Sequence, residues 1–237
     1  MTGVAVLAGA GLVAGDAIVE RLADDGFDLA VLGPSPDAGA AAVERARRAG
    51  RRAVCVPLRA RDADSVRQAV ARVDEQLGPP AVLLNVVDAL VSGPLREVPD
   101  WDDRVGGPLR EAFLISQAVF DPMIREGHGR IVTVAQVRGA PGRQENATVR
   151  EGLEGFTRTL ALEADAFGIT ANLVVAGLGV RAPVAAEILP PAPGAPGLEG
   201  PPPTAGRLAA TVAFLASDAA AVVSGQIIHV AAPEGAF

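Results

Sequence analysis

The chain has 237 residues, of which 49% are hydrophobic, 21% charged and 3% aromatic, a composition that excludes disordered and fibrous classes and fits one globular domain. It holds no Tyr, and all 21 of its basic residues are Arg, so mechanisms that need a phenol or a side-chain amine are excluded, including Schiff bases, a P-loop lysine and a Tyr–Lys proton relay. The formal net charge of −7 opposes nucleic acid and anionic membrane surfaces as partners.

Short apolar runs alternate with helical stretches from the first residues onward. Val4–Ala8 reads as a strand that follows Met1-Thr2-Gly3 without a basic leader, and no apolar run reaches the ~18 residues of a membrane span. Gly9-Ala10-Gly11-Leu12-Val13-Ala14-Gly15 then opens a helix over Ala17–Asp25. A second strand, Leu29–Leu32, runs into Gly33-Pro34-Ser35-Pro36, and a helix follows over Ala38–Ala49. The third strand, Ala53–Leu58, carries Cys55, the chain's one cysteine. It has no internal disulfide partner, and its apolar neighbours predict core packing. With no leader and no span, the chain is expected to be cytoplasmic.

Helix Ala63–Leu77, strand Ala81–Asn85, helix Glu111–Glu126, strand Arg130–Ala135, helix Thr148–Phe167 and strand Thr170–Val175 continue the alternation. Between Pro190 and Pro203, seven of fourteen residues are proline, which allows neither helix nor strand and predicts an irregular loop at the position of a lid. Helix Ala205–Ser217 and strand Gln226–Val230 close the chain. Strand–helix alternation means βαβ units, and their right-handed crossovers wind the strands into one parallel sheet covered on both faces. The predicted fold is α/β, a Rossmann-like doubly wound parallel sheet of about seven strands forming a single domain over residues 1–237, with the loop at 190–203.

The glycine turn after the first strand has the strand–turn–helix context of a dinucleotide fingerprint: small residues allow a tight turn, and N–H groups at the helix start face a pyrophosphate. Its other reading is close packing of that helix on the sheet. The turn after the second strand has neither the acid nor the Arg that usually meets the ribose or its phosphate, and its prolines restrict it.

The order of segments resembles the short-chain dehydrogenase/reductase family, particularly 3-oxoacyl carrier-protein reductases, over essentially the whole chain. Phe214-Leu215-Ala216-Ser217-Asp218 and Ser224-Gly225-Gln226-Ile227-Ile228-His229-Val230 are similar to the family's closing helix and last strand. Phe167-Gly168-Ile169-Thr170-Ala171-Asn172, Gly129-Arg130-Ile131-Val132 and the stretch from Trp101 to Gln117 match further segments, the last of them an interface helix. The resemblance implies a catalytic tetrad whose Asn, Ser, Tyr and Lys fall here on Pro108, Gln136, Asn146 and Arg150. The family's first turn falls on Ala8 to Gly15 with Val13 in place of its middle glycine, the adenine-side acid falls on Arg59, and the N-N-A-G motif reads Asn85-Val86-Val87-Asp88.

On these departures the chain is expected to have lost the cofactor site, leaving Gly9, Gly11, Gly15 and Asn85 as vestiges, and to bind no dinucleotide and no metal. Two functions stay open. One is a catalytically degenerate pseudoenzyme that pairs with a homologous, active ketoreductase-like subunit in a dimer or tetramer; Leu153, Phe156, Leu160 and Phe167 offer it apolar contacts at helical spacing. The other is non-redox chemistry in the vacated pocket, a cyclase, dehydratase or dehalogenase-like reaction using Asp88 and Arg150, with Glu145 and Glu151 as further carboxylates. His128 and His229 stand apart in the sequence and fit neither a catalytic pair nor a metal site.

Overall fold

A computed structural model describes residues 3–9, 15–88, 100–137, 144–177 and 205–230. The loop expected at 190–203, together with Gly11 and Val13, lies outside them. Seven strands form one parallel sheet: β1 (Val4–Ala8), β2 (Asp28–Gly33), β3 (Ala53–Pro57), β4 (Pro80–Asp88), β5 (Gly129–Val137), β6 (Ile169–Gly177) and β7 (Ile227–Val230). Their spatial order is β3-β2-β1-β4-β5-β6-β7. The order therefore runs outward in both directions from β1 and β4, and the crevice between their carboxyl ends is where open α/β sheets take ligands.

The helices are α1 (Gly15–Asp24), α2 (Ala40–Arg48), α3 (Ala63–Leu77), α4 (Gly107–Glu126), α5 (Gln144–Ala164) and α6 (Ala205–Ala216). They divide by the two-residue period of the strands. On one face, Val82, Leu84 and Val86 of β4 join Ile18 and Leu22 of α1 and Leu208, Val212 and Leu215 of α6. On the other, Leu83 of the same strand joins Val66, Val70 and Val73 of α3 and Ile115, Val119 and Met123 of α4. With both faces covered, the central strands are apolar at nearly every position. Cys55 packs against the first of these clusters, as expected, but because β3 is an edge strand its side chain is only half-buried, with Sγ 3.6 Å from the Ser35 carbonyl.

Two helix starts lie earlier in the chain than the apolar periodicity suggested. Residues Asp102–Gly106 form a π-helical turn that leads directly into α4, and Pro108 occupies the first turn of that helix; it has no N–H to donate back, and the Asp103 carbonyl accepts from Arg61 Nη2 at 3.2 Å instead. The guanidinium of Arg61 clasps this junction, donating to Glu111 Oε1 at 2.8 Å and to the carboxylate of Asp103. It rests on Gly107, where a Cβ would come within 2.4 Å of it and push the guanidinium aside. α5 likewise begins at Gln144, one turn before Thr148.

Candidate active site

The carboxyl edge of the sheet collects most of the residues singled out in the sequence. Gly9 follows β1 with φ of +99°, and a Cβ there would fall 2.1 Å from the carbonyl oxygen of Val86 on β4. This position needs glycine because the turn crosses the end of the neighbouring strand without clearance. Gly15 opens α1, so the chain between them leads into a helix whose first N–H groups have no intrahelical acceptor. That combination, a switch-point crevice, a glycine-only position at its rim and a helix start beyond it, suits a dinucleotide pyrophosphate through backbone alone.

Asn85 pairs in register with Ala8 and Thr133 at this edge, and three residues further on Asp88 stands opposite Gln136. The buried Asn85 amide donates to the Ala112 carbonyl of α4 at 3.1 Å. Its visible task is to hold α4 against the sheet, which sets the wall of the crevice. Pro108 lies one turn before Ala112 and presents no polar side chain.

Asn146 and Arg150 lie four residues apart on α5 and therefore share a face. Val149 and Leu153 seat that helix on a small apolar cluster with Val87 of β4, Val105 and Ala112 of the α4 segment, and Ala135 of β5. Arg150 is half-buried and engaged: Nη1 donates to Glu154 Oε1 at 3.0 Å and Nη2 to Glu151 Oε1 at 2.6 Å. Arg158 reaches the other Glu154 oxygen at 3.3 Å, so a nearly buried carboxylate is bracketed by two guanidinium groups. The fold thus gathers Asn85, Asp88, Pro108, Gln136, Asn146 and Arg150 on elements bordering one crevice. It does not bring the histidines there: His128 precedes β5 at the opposite edge and His229 lies in β7. Among the described residues no group of His, Cys, Asp and Glu could hold a metal ion.

Arg59, the residue at the adenine-side position, pairs with Asp62 through Nε and Nη2 at 3.2 and 2.9 Å. Asp62 is the N-cap of α3 and accepts from the N–H groups of Ser65 and Asp64. The Ser65 N–H first, and then Arg59, hold its carboxyl below the usual carboxylate range. Sequence reading missed the roles of Asp62 and of the Arg61 clasp. A D-x-x-S capping pattern marks the first, while the second joins residues some forty positions apart and has no local signature.

A family model described as enoyl-(acyl carrier protein) reductase matches residues 10–232. The chain is 37% identical to the short-chain dehydrogenase/reductase family member NovK of Streptomyces niveus, over 98% of this chain and 96% of that one. It is 30% identical to the 3-oxoacyl-[acyl-carrier-protein] reductase FabG of Staphylococcus epidermidis, over 95% and 96%. Among solved structures, the actinorhodin polyketide ketoreductase with NADPH superposes with a TM-score of 0.83 at 27% identity, covering 100% of this chain and 98% of that one. These findings correct the expectation that the chain takes no cofactor: its full-length relatives are named reductases, and one of its structural counterparts is solved with NADPH. That expectation counted altered side chains. Gly9 and the start of α1 offer backbone groups of the kind that meet a pyrophosphate, and the changes at Pro34 and Arg59 do not remove them.

Proposed function

The chain belongs to the short-chain dehydrogenase/reductase family, with 3-oxoacyl carrier-protein reductases among its relatives, and from that membership we propose that it is a dinucleotide-binding, catalytically degenerate subunit that pairs with an active, homologous reductase. The observation that carries this reading is the absence of any Tyr or Lys from all 237 residues. A bound nicotinamide would supply hydride transfer, but carbonyl reduction also needs a proton delivered to the carbonyl oxygen. Asn146 carries an amide that releases no proton near neutral pH. The Arg150 guanidinium donates to Glu151 and Glu154. Pro108 has nothing to donate. In this reading Gly9, Gly15 and the crevice between β1 and β4 bind the dinucleotide, and Asn85 positions α4 beside it.

The partner half of the reading rests on the faces of α4 and α5. Phe113 is 47% exposed and Leu162 82% exposed, and Phe113 stacks edge-on against Phe156 with ring centroids 6.0 Å apart. Members of this family commonly assemble as oligomers. A lone cysteine is compatible with a reducing compartment, and in this reading the pair works in the cytoplasm; no helix among the described residues is long and apolar enough to cross a membrane.

The test is calorimetric titration with NADPH and NADH, followed by turnover assays with an oxoacyl thioester, alone and after co-expression with reductase-like chains. Binding without oxidation by the isolated chain, and a stable mixed oligomer that turns over, is the expected outcome. Oxidation by the isolated chain overturns it. The rival reading, acid–base chemistry without hydride transfer, draws on Asp88, which stands in register with Gln136 at the sheet's carboxyl edge. Consumption of a substrate without nicotinamide, stopped by Asp88→Asn, would establish that reading in place of ours.

A further inference from the structure

The opposite, amino-terminal edge of the sheet holds a cavity of about 560 Å³ that the dinucleotide reading does not use. Its wall is assembled from the starts of β1, β2 and β4 and the residues just before β3 and β5, with Asp218 from beyond α6. Apolar surface comes from Val4, Leu77, Pro79 and Pro80, and charge from Arg51, Arg52, Asp28, Glu126, His128 and Asp218.

The two arginines differ in how far they are satisfied. Arg52 is fully engaged, donating to Asp28 Oδ2 from Nε at 2.7 Å and to the Leu77 carbonyl from Nη2 at 2.7 Å. Arg51 is half-buried, and its Nη1 donates to the Gly26 carbonyl at 3.3 Å. It has no carboxylate partner among the described residues, and its Nε has no acceptor at all. A guanidinium keeps its charge at every accessible pH and forks toward planar oxyanions, so a half-buried one without a counter-ion is short of an anion. His128 lines the same cavity. Its Nε2 is buried without a hydrogen-bond partner, 3.8 Å from Asp218 Oδ1, an oxygen equally distant from Arg130 Nη2.

We propose that this cavity is an oxyanion site, taking the carboxylate or phosphate of a small metabolite on the Arg51 guanidinium with its apolar body against Leu77 and Pro79. The other charges define the selectivity. Asp28 is neutralised by Arg52, and Asp218 is shared between Arg130 and His128. Glu126 is an exposed carboxylate on the lining, so it opposes an anion and limits its charge. Burial, and then the Arg130 charge, hold the His128 imidazole below its ordinary range, so an anion bound beside it draws its titration back upward.

The chain has only two histidines, which makes their imidazole NMR signals a direct readout, with His229 as internal control. The whole chain is titrated with inorganic phosphate, with acetate and with chloride at matched ionic strength. The expected result is a saturable rise of the His128 midpoint with phosphate or acetate beyond that with chloride, the stronger probe identifying the oxyanion. Arg51→Gln weakens the probe by about tenfold or more, the loss of one charge-assisted hydrogen bond. Glu126→Gln, a surface change that leaves the fold intact, tightens it. A His128 response no larger than with chloride for both probes overturns the proposal. So does a response that survives Arg51→Gln, or one that weakens in Glu126→Gln. None of these outcomes depends on whether a dinucleotide binds at the other edge.

Discussion

Arg150 carries structural duties on α5. Its guanidinium neutralises Glu154, whose side chain is only 11% exposed, so Arg150→Ala leaves that carboxylate with Arg158 alone. The expected loss is on the order of 1 kcal/mol in denaturant unfolding, since Arg158 and solvent compensate in part. The same pairing bears on reversion. In the double variant Asn146→Tyr with Arg150→Lys, the new ammonium falls between Glu151 and Glu154, which compete with a phenol for it. Gln136 still supplies no hydroxyl. NADPH oxidation with an oxoacyl thioester is therefore expected to stay at background, and measurable turnover would show that two side chains sufficed. His128 gives a pH prediction at the same scale. Its folded-state titration lies below the unfolded value of about 6.5, so between the two the unfolded chain binds more protons and stability rises with pH. Thermal unfolding is expected to drop as pH falls from about 6.5 toward the depressed folded value, and His128→Gln to flatten that segment of the profile.

At the scale of elements, the buried Arg130 ties three chain segments together. It is 3% exposed and donates to the carbonyls of Gly129, Gly168 and Ser217, at the start of β5, the turn before β6 and the end of α6. Removing it takes a donor from three carbonyls, of which Ser217 keeps the Ala220 N–H, whereas Asp218 is solvated and tolerates the loss. Arg130→Ala is expected to cost on the order of 2 kcal/mol, read from urea midpoints at unchanged slope. The strands were legible because β4, β5 and β6 are buried on both faces and write that burial as continuous apolar runs. The start of α4 was not, because Gly106, Gly107 and Pro108 look like a breaker in sequence. The structure absorbs them in a π turn that Arg61 holds from forty-odd positions away. The candidate site was legible as positions: Asn85, Gln136 and Arg150 sit where strand ends and helix spacing put them. The Arg150–Glu154 pair is legible too, as an i,i+4 spacing on one helix, whereas the bond from Asn85 to the Ala112 carbonyl spans 27 positions and has no local signature. The cavity at the other edge left no sequence signal at all, being built from short pieces of six segments far apart in the chain.

For the whole molecule, the question is what covers the outer faces of α4 and α5. Phe113 and Phe156 form one edge-on aromatic pair there, Phe120 and Phe167 a second at 6.2 Å, and the exposed Leu162 lies on the same helix as Phe156. Aromatic and aliphatic groups left in water at this density mark a surface that gains by burial, at roughly 25 cal/mol per Å² removed from water. Charge works in the same direction only in part: Arg158 lies near this apolar surface already paired with Glu154, so an approaching partner need not strip a bare cation. A homologous subunit with matching helices supplies an apolar face of the same shape, while a second copy of this chain supplies the same face without a Tyr–Lys pair. The two assemblies therefore differ in activity and agree in geometry. Phe113→Arg places a charge in the centre of the proposed contact while leaving the core beneath it, Ala112 and Leu114, untouched. It is expected to shift the mass of the assembly toward the monomer in sedimentation, with little change in the melting temperature of the separated chain. If the assembly keeps its mass in both Phe113→Arg and Leu162→Arg, the helices are not its interface. If the mixed oligomer instead falls apart and loses turnover while the isolated chain still binds NADPH, assembly and cofactor binding are separable, as a non-catalytic subunit requires.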